Sequence, residues 1–196
     1  MPDSEGEIGG RPIVNNRNLL ALKEVFNDVV IVTYKSPRLV TTNKWKRKLL
    51  ELKQIFSPCS SDSYDTLLNE IRNHPDYKVF FTHSKFGVFV RKAKKKYPLT
   101  KISVFFHNVE LSMSLLRLKT EKSLMEIPVL LKYYISERCV CEYADVIFVL
   151  NDRDKKLLNR VFNCSKLKQI VELPMSLADR NNSFVQKEFT ARPWKI

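Results

Sequence analysis

A chain of 196 residues with 44% hydrophobic and 28% charged positions is long enough to close one domain around its own core, so a single domain is the default. No apolar run approaches the roughly 18–20 residues that cross a bilayer, and the acidic opening MPDSEGEIGG lacks the apolar segment of a secretory signal, so a cytoplasmic location is expected. The balance of 34 Lys and Arg against 21 Asp and Glu leaves a formal charge of +13, which points to an anionic partner: nucleic acid, an anionic membrane surface or a phosphorylated small molecule.

Three of the four glycines, Gly6, Gly9 and Gly10, fall in the first ten residues, so a glycine-rich loop opens the chain. Leu19, Leu22 and Phe26 predict a helix over Asn15 to Phe26, and the β-branched run Val29 to Val32 predicts a strand. Asn43 to Leu52 reads as a short helix with Trp45, Leu49 and Leu52 on one side, and Gln54 to Ser57 as a short strand. A polar turn follows, from which Asp62 caps a helix running to Arg72 before Pro75.

Lys78 to Thr82 predicts a strand, and Phe86, Val90, Ala93 and Tyr97 mark one face of a helix over Ser84 to Lys96, stopped by Pro98. Ile102 to Phe106 is an unbroken apolar run and therefore a buried strand. Residues 111 to 124 mix apolar and charged positions without a clean period, which predicts a mobile loop or a loosely docked helix. Beyond it come a long helix over Met125 to Tyr143 with Pro128 in its first turn, a strand Val146 to Leu150, a helix Asp152 to Phe162 and a strand Leu167 to Leu173. Alternation of strand and helix predicts an α/β fold, a mainly parallel Rossmann-like sheet flanked by helices.

Cys59, Cys139, Cys141 and Cys164 show no CxxC spacing and no accompanying histidine cluster, so reduced, structural thiols are expected and no metal site. His107 is the stronger candidate. It ends the strand 102–106, and open α/β sheets bind ligands outside the carboxyl ends of their strands. His83 and Ser84 follow the strand Lys78 to Thr82 at the same edge, where they either line a ligand site or shape the turn into the next helix.

Four segments together resemble the N-terminal domain of GT-B glycosyltransferases of the family-4-like group: IGGRPIVNNRNLLAL, THSKFGVFVRKAKKKYP, FFHNVE and SERCVCEYADVIFVLNDRDKKLL. The resemblance spans nearly the whole chain through the order and spacing of these pieces. It implies an acceptor-side domain over residues 1–190, with 191–196 (RPWKI and its preceding Ala) opening a second, donor-binding domain. It also implies a strand before the glycine pair. Residues 1 to 8 supply no apolar run for it, so this first strand is expected to be missing.

By the same resemblance the function is sugar transfer from a nucleotide-diphosphate sugar to a polysaccharide or lipid-linked acceptor, at the inner face of the cell membrane. No cofactor or metal is required, and the donor-binding half is needed for activity. His107 is implied as the catalytic residue facing the transferred sugar, and Gly9 and Gly10 as approaching the donor phosphates, which glycine and a helix N-terminus suit. Asn108, Glu110, His83 and Ser84 are candidate sugar or acceptor contacts. Lys44, Trp45, Lys46, Arg47 and Lys48, with Lys94, Lys95 and Lys96, form basic stretches that either meet an anionic membrane surface or are solvated helix faces. A non-catalytic membrane adaptor that recruits a separate donor-binding chain is the alternative. Nucleic-acid binding ranks last, since no zinc-finger, recognition-helix or RNP-like signature accompanies the charge.

Overall fold

The computed structural model describes residues 10–32, 46, 61–122, 124–164 and 169–173. Its centre is a four-stranded sheet in the order β1-β2-β3-β4, parallel throughout, made of β1 (Val79–Phe81), β2 (Ile102–Phe106), β3 (Val146–Val149) and β4 (Gln169–Glu172). Six helices accompany it among the described residues: α1 (Gly10–Val25), α2 (Ser61–Asn73), α3 (Gly87–Lys96), α4 (Glu110–Glu121), α5 (Ile127–Tyr143) and α6 (Asp152–Phe162). The expected α/β class with a Rossmann-like parallel sheet is what the chain adopts.

Strand residues alternate between two faces. On one, Phe81, Ile102, Val104, Phe106, Ile147 and Val149 are buried in a single core with Leu68 and Ile71 of α2, Phe89, Val90 and Ala93 of α3, Val140 and Cys141 of α5, and Leu158 of α6. The rings of Tyr64 and Phe89 meet at 4.7 Å between α2 and α3, and those of Tyr134 and Phe162 at 5.6 Å between α5 and α6. The opposite face carries Phe80, Ser103, Phe105 and Phe148. Here Phe80 and Phe148 lie 5.9 Å apart and half-buried, while Phe105 is sealed off completely.

Several boundaries depart from the sequence expectation. For residues 111–124, expected as a mobile loop or a loosely docked helix, the helical alternative holds: α4 runs to Glu121 with Leu111 and Ser114 buried, and a short 3-10 turn follows at Leu124–Glu126. The helix expected over Ser84 to Lys96 opens instead as a 3-10 turn, Ser84–Phe86, before α3. Val29 to Val32 is not a strand: Val30 and Ile31 are about half exposed and the run has no ladder partner among the described residues. β-branched residues favour a strand only where a neighbouring strand receives them. The segment is held near the start of β1 by the Tyr77 hydroxyl on the Asp28 carboxylate and by the Lys78 ammonium over the Phe26 ring. The short helix and strand expected between 43 and 57 lie outside the described residues, apart from Lys46, which is helical and exposed.

Lys94 has a structural role that its place in a basic stretch conceals. Its ammonium donates to the Asp145 carboxylate at 2.8 Å and to the Thr100 carbonyl at 2.7 Å, and Asp145 also accepts from the Ile102 amide at 2.8 Å. This knot ties the end of α3 to the starts of β2 and β3. Burial raises the Asp145 pKa, but the Lys94 and Ile102 donors outweigh it and hold the carboxyl below its usual range. The apolar side of α3 is taken up by the core, and Lys95 and Lys96 remain exposed.

Cys139, Cys141 and Cys164 are buried free thiols. The hydrogen bond of the Cys141 thiol to Cys164, with burial behind it, pushes the Cys141 pKa far above its ordinary value. Cys59 lies outside the described residues.

Candidate functional site

Parallel pairing of β1 with β2 delivers both strand ends to one edge, and the residues beyond them meet there. The rings of His83 and His107 stand 5.7 Å apart between centroids. His107 is 5% exposed, its ring edge against Phe105 at 5.1 Å and its Nε2 3.0 Å from the Asn15 Oδ1 of α1. With the amide oxygen as acceptor, the Nε2 proton belongs to this bond. The contact also sets the second turn of α1 against the end of β2.

His83 is oriented from its other nitrogen. Its Nδ1 accepts from the Lys85 amide at 3.1 Å, so the neutral ring carries its proton on Nε2, which faces the Glu110 carboxylate at 3.6 Å. Both side chains are about nine-tenths buried. The Lys85 amide and the Glu110 carboxylate thus occupy both ring nitrogens and fix the imidazole in one tautomer and orientation.

Behind these residues stands Glu137 of α5, wholly buried. Its carboxylate accepts from the amides of Glu110 at 2.7 Å and Leu111 at 3.3 Å and from the Ser84 hydroxyl at 3.3 Å. Burial pushes its pKa up to about 8 against the pull of those three donors, and the neighbouring Glu110 charge adds to the rise. Ser136, one residue earlier, donates to the Ser84 carbonyl at 2.8 Å and accepts from the Gly87 amide at 3.0 Å. One turn of α5 thereby fixes the loops after both β1 and β2. Glycine is required at 87 for room: a Cβ there would lie 1.8 Å from the Ser136 carbonyl oxygen.

Of the residues singled out in the sequence, His83, Ser84, His107 and Glu110 come together. Asn108 is exposed between His107 and Val109. Gly10 opens α1, while Gly9, Lys44, Trp45, Arg47 and Lys48 lie outside the described residues. Asn15, Ser136 and Glu137 were not foreseen. Glu137 did leave a signal, because it sits four residues after Tyr133 and three before Val140 on the apolar stripe of its helix, where a carboxylate needs a partner. Asn18, one turn beyond Asn15, is 7% exposed, and its Nδ2 is a buried donor without an acceptor.

No set of three His, Cys, Asp or Glu side chains among the described residues could hold a metal ion, and no described helix is long and apolar enough to cross a membrane. The sequence matches no protein-family model, no curated protein and no solved structure.

Proposed function

We propose that this chain is the acceptor-side domain of a family-4-like GT-B glycosyltransferase, acting with a donor-binding α/β domain at the cytoplasmic face of a membrane. The observation that supports this best is His107, carried by the carboxyl end of β2 into a buried polar cluster and joined to Asn15 of the helix that follows the glycine pair. A nucleotide-diphosphate sugar would lie over this edge, its phosphates toward Gly9 and Gly10 and its sugar toward His107. Transfer breaks the bond from the anomeric carbon to the diphosphate oxygen and forms one to the acceptor oxygen, whose proton passes to the leaving diphosphate or to a base. The His83–Glu110 pair is the candidate to handle a proton on the acceptor side. Exposed Lys46, Lys95 and Lys96 would favour an anionic surface.

The test is transfer of labelled sugar, from a panel of nucleotide-diphosphate sugars to saccharide and lipid-linked acceptors, by this chain together with its donor-binding domain. Changing His107→Ala is expected to lower turnover per folded molecule by roughly 10²-fold, the scale of a lost positioned polar group. Loss of the Asn15 bond is expected to cost about 1 kcal/mol of stability. Unchanged turnover per folded molecule removes His107 from the chemistry, and absence of transfer by the wild-type assembly across the panel removes the reading.

A further inference from the structure

A second concavity opens at the same sheet edge, where α4 and α6 begin after β2 and β3. This groove of about 400 Å³ is lined by Ser112 on one side and by Asp152, Arg153, Lys156, Leu157 and Arg160 of α6 on the other. We propose that it binds the phosphate group of a phosphorylated ligand, which, on the glycosyltransferase reading, is the sugar acceptor.

The charge pattern carries the inference. Arg153, Lys156 and Arg160 follow one another at three- and four-residue steps and so share one side of α6. Lys156 is paired with Asp152, and the Asp154 carboxylate is engaged by the Asn151 amide. Among the described residues Arg153 and Arg160 lie within ion-pair distance of no carboxylate, although the Arg153 charge acts on Asp154 through space. Two guanidinium groups are thus left without a direct carboxylate partner among the described residues on one concave wall, and about 10 Å of helix axis between them is within what two long side chains can bridge toward one doubly charged group. Like charges on one helix side are unfavourable when nothing neutralises them, and a phosphate does so through paired N–H donors.

The walls fit this assignment. Leu157 is half-buried and adds an apolar part to the lining, and Ser112 adds a hydroxyl-bearing residue to it. The first two amides of α4 are already spent on Glu137, so anion affinity here must come from the side chains of α6. The groove also lies close to the site, Ser112 being two residues beyond Glu110 on the same helix. A phosphate held there would leave the rest of its molecule near His83 and His107.

The experiment titrates the full chain with inorganic pyrophosphate by calorimetry and by amide chemical-shift mapping. Saturable binding is expected, with shifts concentrated at Ser112, Arg153 and Arg160. The double variant Arg153→Gln/Arg160→Gln should bind about tenfold or more weakly, while Lys101→Gln/Lys119→Gln, which removes the same charge elsewhere, should bind as wild type. Equal affinity in the two double variants, or shifts spread over every basic residue, would show general attraction to a cationic protein and overturn the site. Phosphatidylcholine vesicles with and without phosphatidic acid give the second arm. Variant-sensitive preference for the phosphatidic acid vesicles over pyrophosphate assigns the phosphate to a lipid, and lack of that preference, with pyrophosphate still bound, assigns it to a soluble ligand. Pyrophosphate binding needs neither donor nor turnover, so this site and the glycosyltransferase reading can fail separately.

Discussion

Helices α4 and α6 both start at the carboxyl edge of the sheet, yet they are held by different means. In α6 the cap is local: Asn151 accepts from the Asp154 amide at 2.9 Å, Asp152 and Asp154 complement the helix dipole in the first turn, and Asn163 ends the helix in the left-handed conformation at φ 55°. In α4 the residue at the cap position is Val109, which offers no side-chain acceptor, and the first two amides reach Glu137, which comes 27 and 26 residues later on another helix. A locally capped helix carries its own end-group partners wherever the chain places it, though its stability still comes from packing. A helix capped from a distance exists only while its partner is in place, and here the partner is the residue that also supports the two histidine loops.

The largest effect is expected where that partnership depends on space. Gly87 allows α3 and α5 to cross closely enough for Ser136 and Glu137 to reach both loops. Changing Gly87→Ala puts a methyl group into the Ser136 carbonyl and should force the helices apart, at a cost of about 3 kcal/mol or more and roughly 10 °C in Tm. The backbone at 87 is ordinary right-handed helix, φ −52°, so the loss would come from contact and not from conformation. A Gly87→Ala protein melting within a degree or two of wild type would mean that the crossing has slack, and that distant capping is weaker than its geometry indicates.

Next comes the carboxyl group itself. Glu137→Ala strands two buried amides and should cost about 2–3 kcal/mol. Glu137→Gln sharpens the same point through pH. The folded protein holds a proton on Glu137 up to about pH 8, whereas the unfolded chain releases it near 4.5, so across that window the native state binds more protons. Stability from this group is therefore fully present below pH 4.5 and is lost as pH rises through about 8. Denaturant melts of the wild type should show this decline between about pH 5 and about pH 8, and the glutamine variant should lack it. An identical slope in both proteins would locate the titration elsewhere.

The same contrast explains what could be read in advance. β2 and α6 are legible to the residue, Ile102–Phe106 and Asp152–Phe162, because an apolar run and a capped, strongly two-sided helix are written in consecutive positions. Residues 111–124 looked loose for the converse reason: the acceptor that stabilises α4 is not among its neighbours in sequence. Val29 to Val32 has strand composition but no described partner, and Lys94 looks like one more surface lysine until Asp145 is brought beside it. For the site, the strand ends pointed to His83 and His107. The residues that orient and support them, Asn15, Ser136 and Glu137, are joined to them only by the fold.

The smallest effect should come from the local cap. Asn151 is exposed, so after Asn151→Ala water can reach the Asp154 amide and replace the lost acceptor, and Asp152 still complements the helix dipole. A loss of about 1 kcal/mol is expected, read from the urea midpoint at unchanged m-value. The imidazole proton resonances of His83 and His107 should not move, because no bond of the Asn151 cap touches either loop, whereas Glu137→Ala should shift both. The pair of variants thus separates a helix that merely begins at the sheet edge from one whose beginning is built into the site. If Asn151→Ala destabilised the chain as much as Glu137→Ala, or disturbed the histidine resonances equally, local and distant capping would be equivalent here. Glu137 would then be a fold residue with no particular hold on the site.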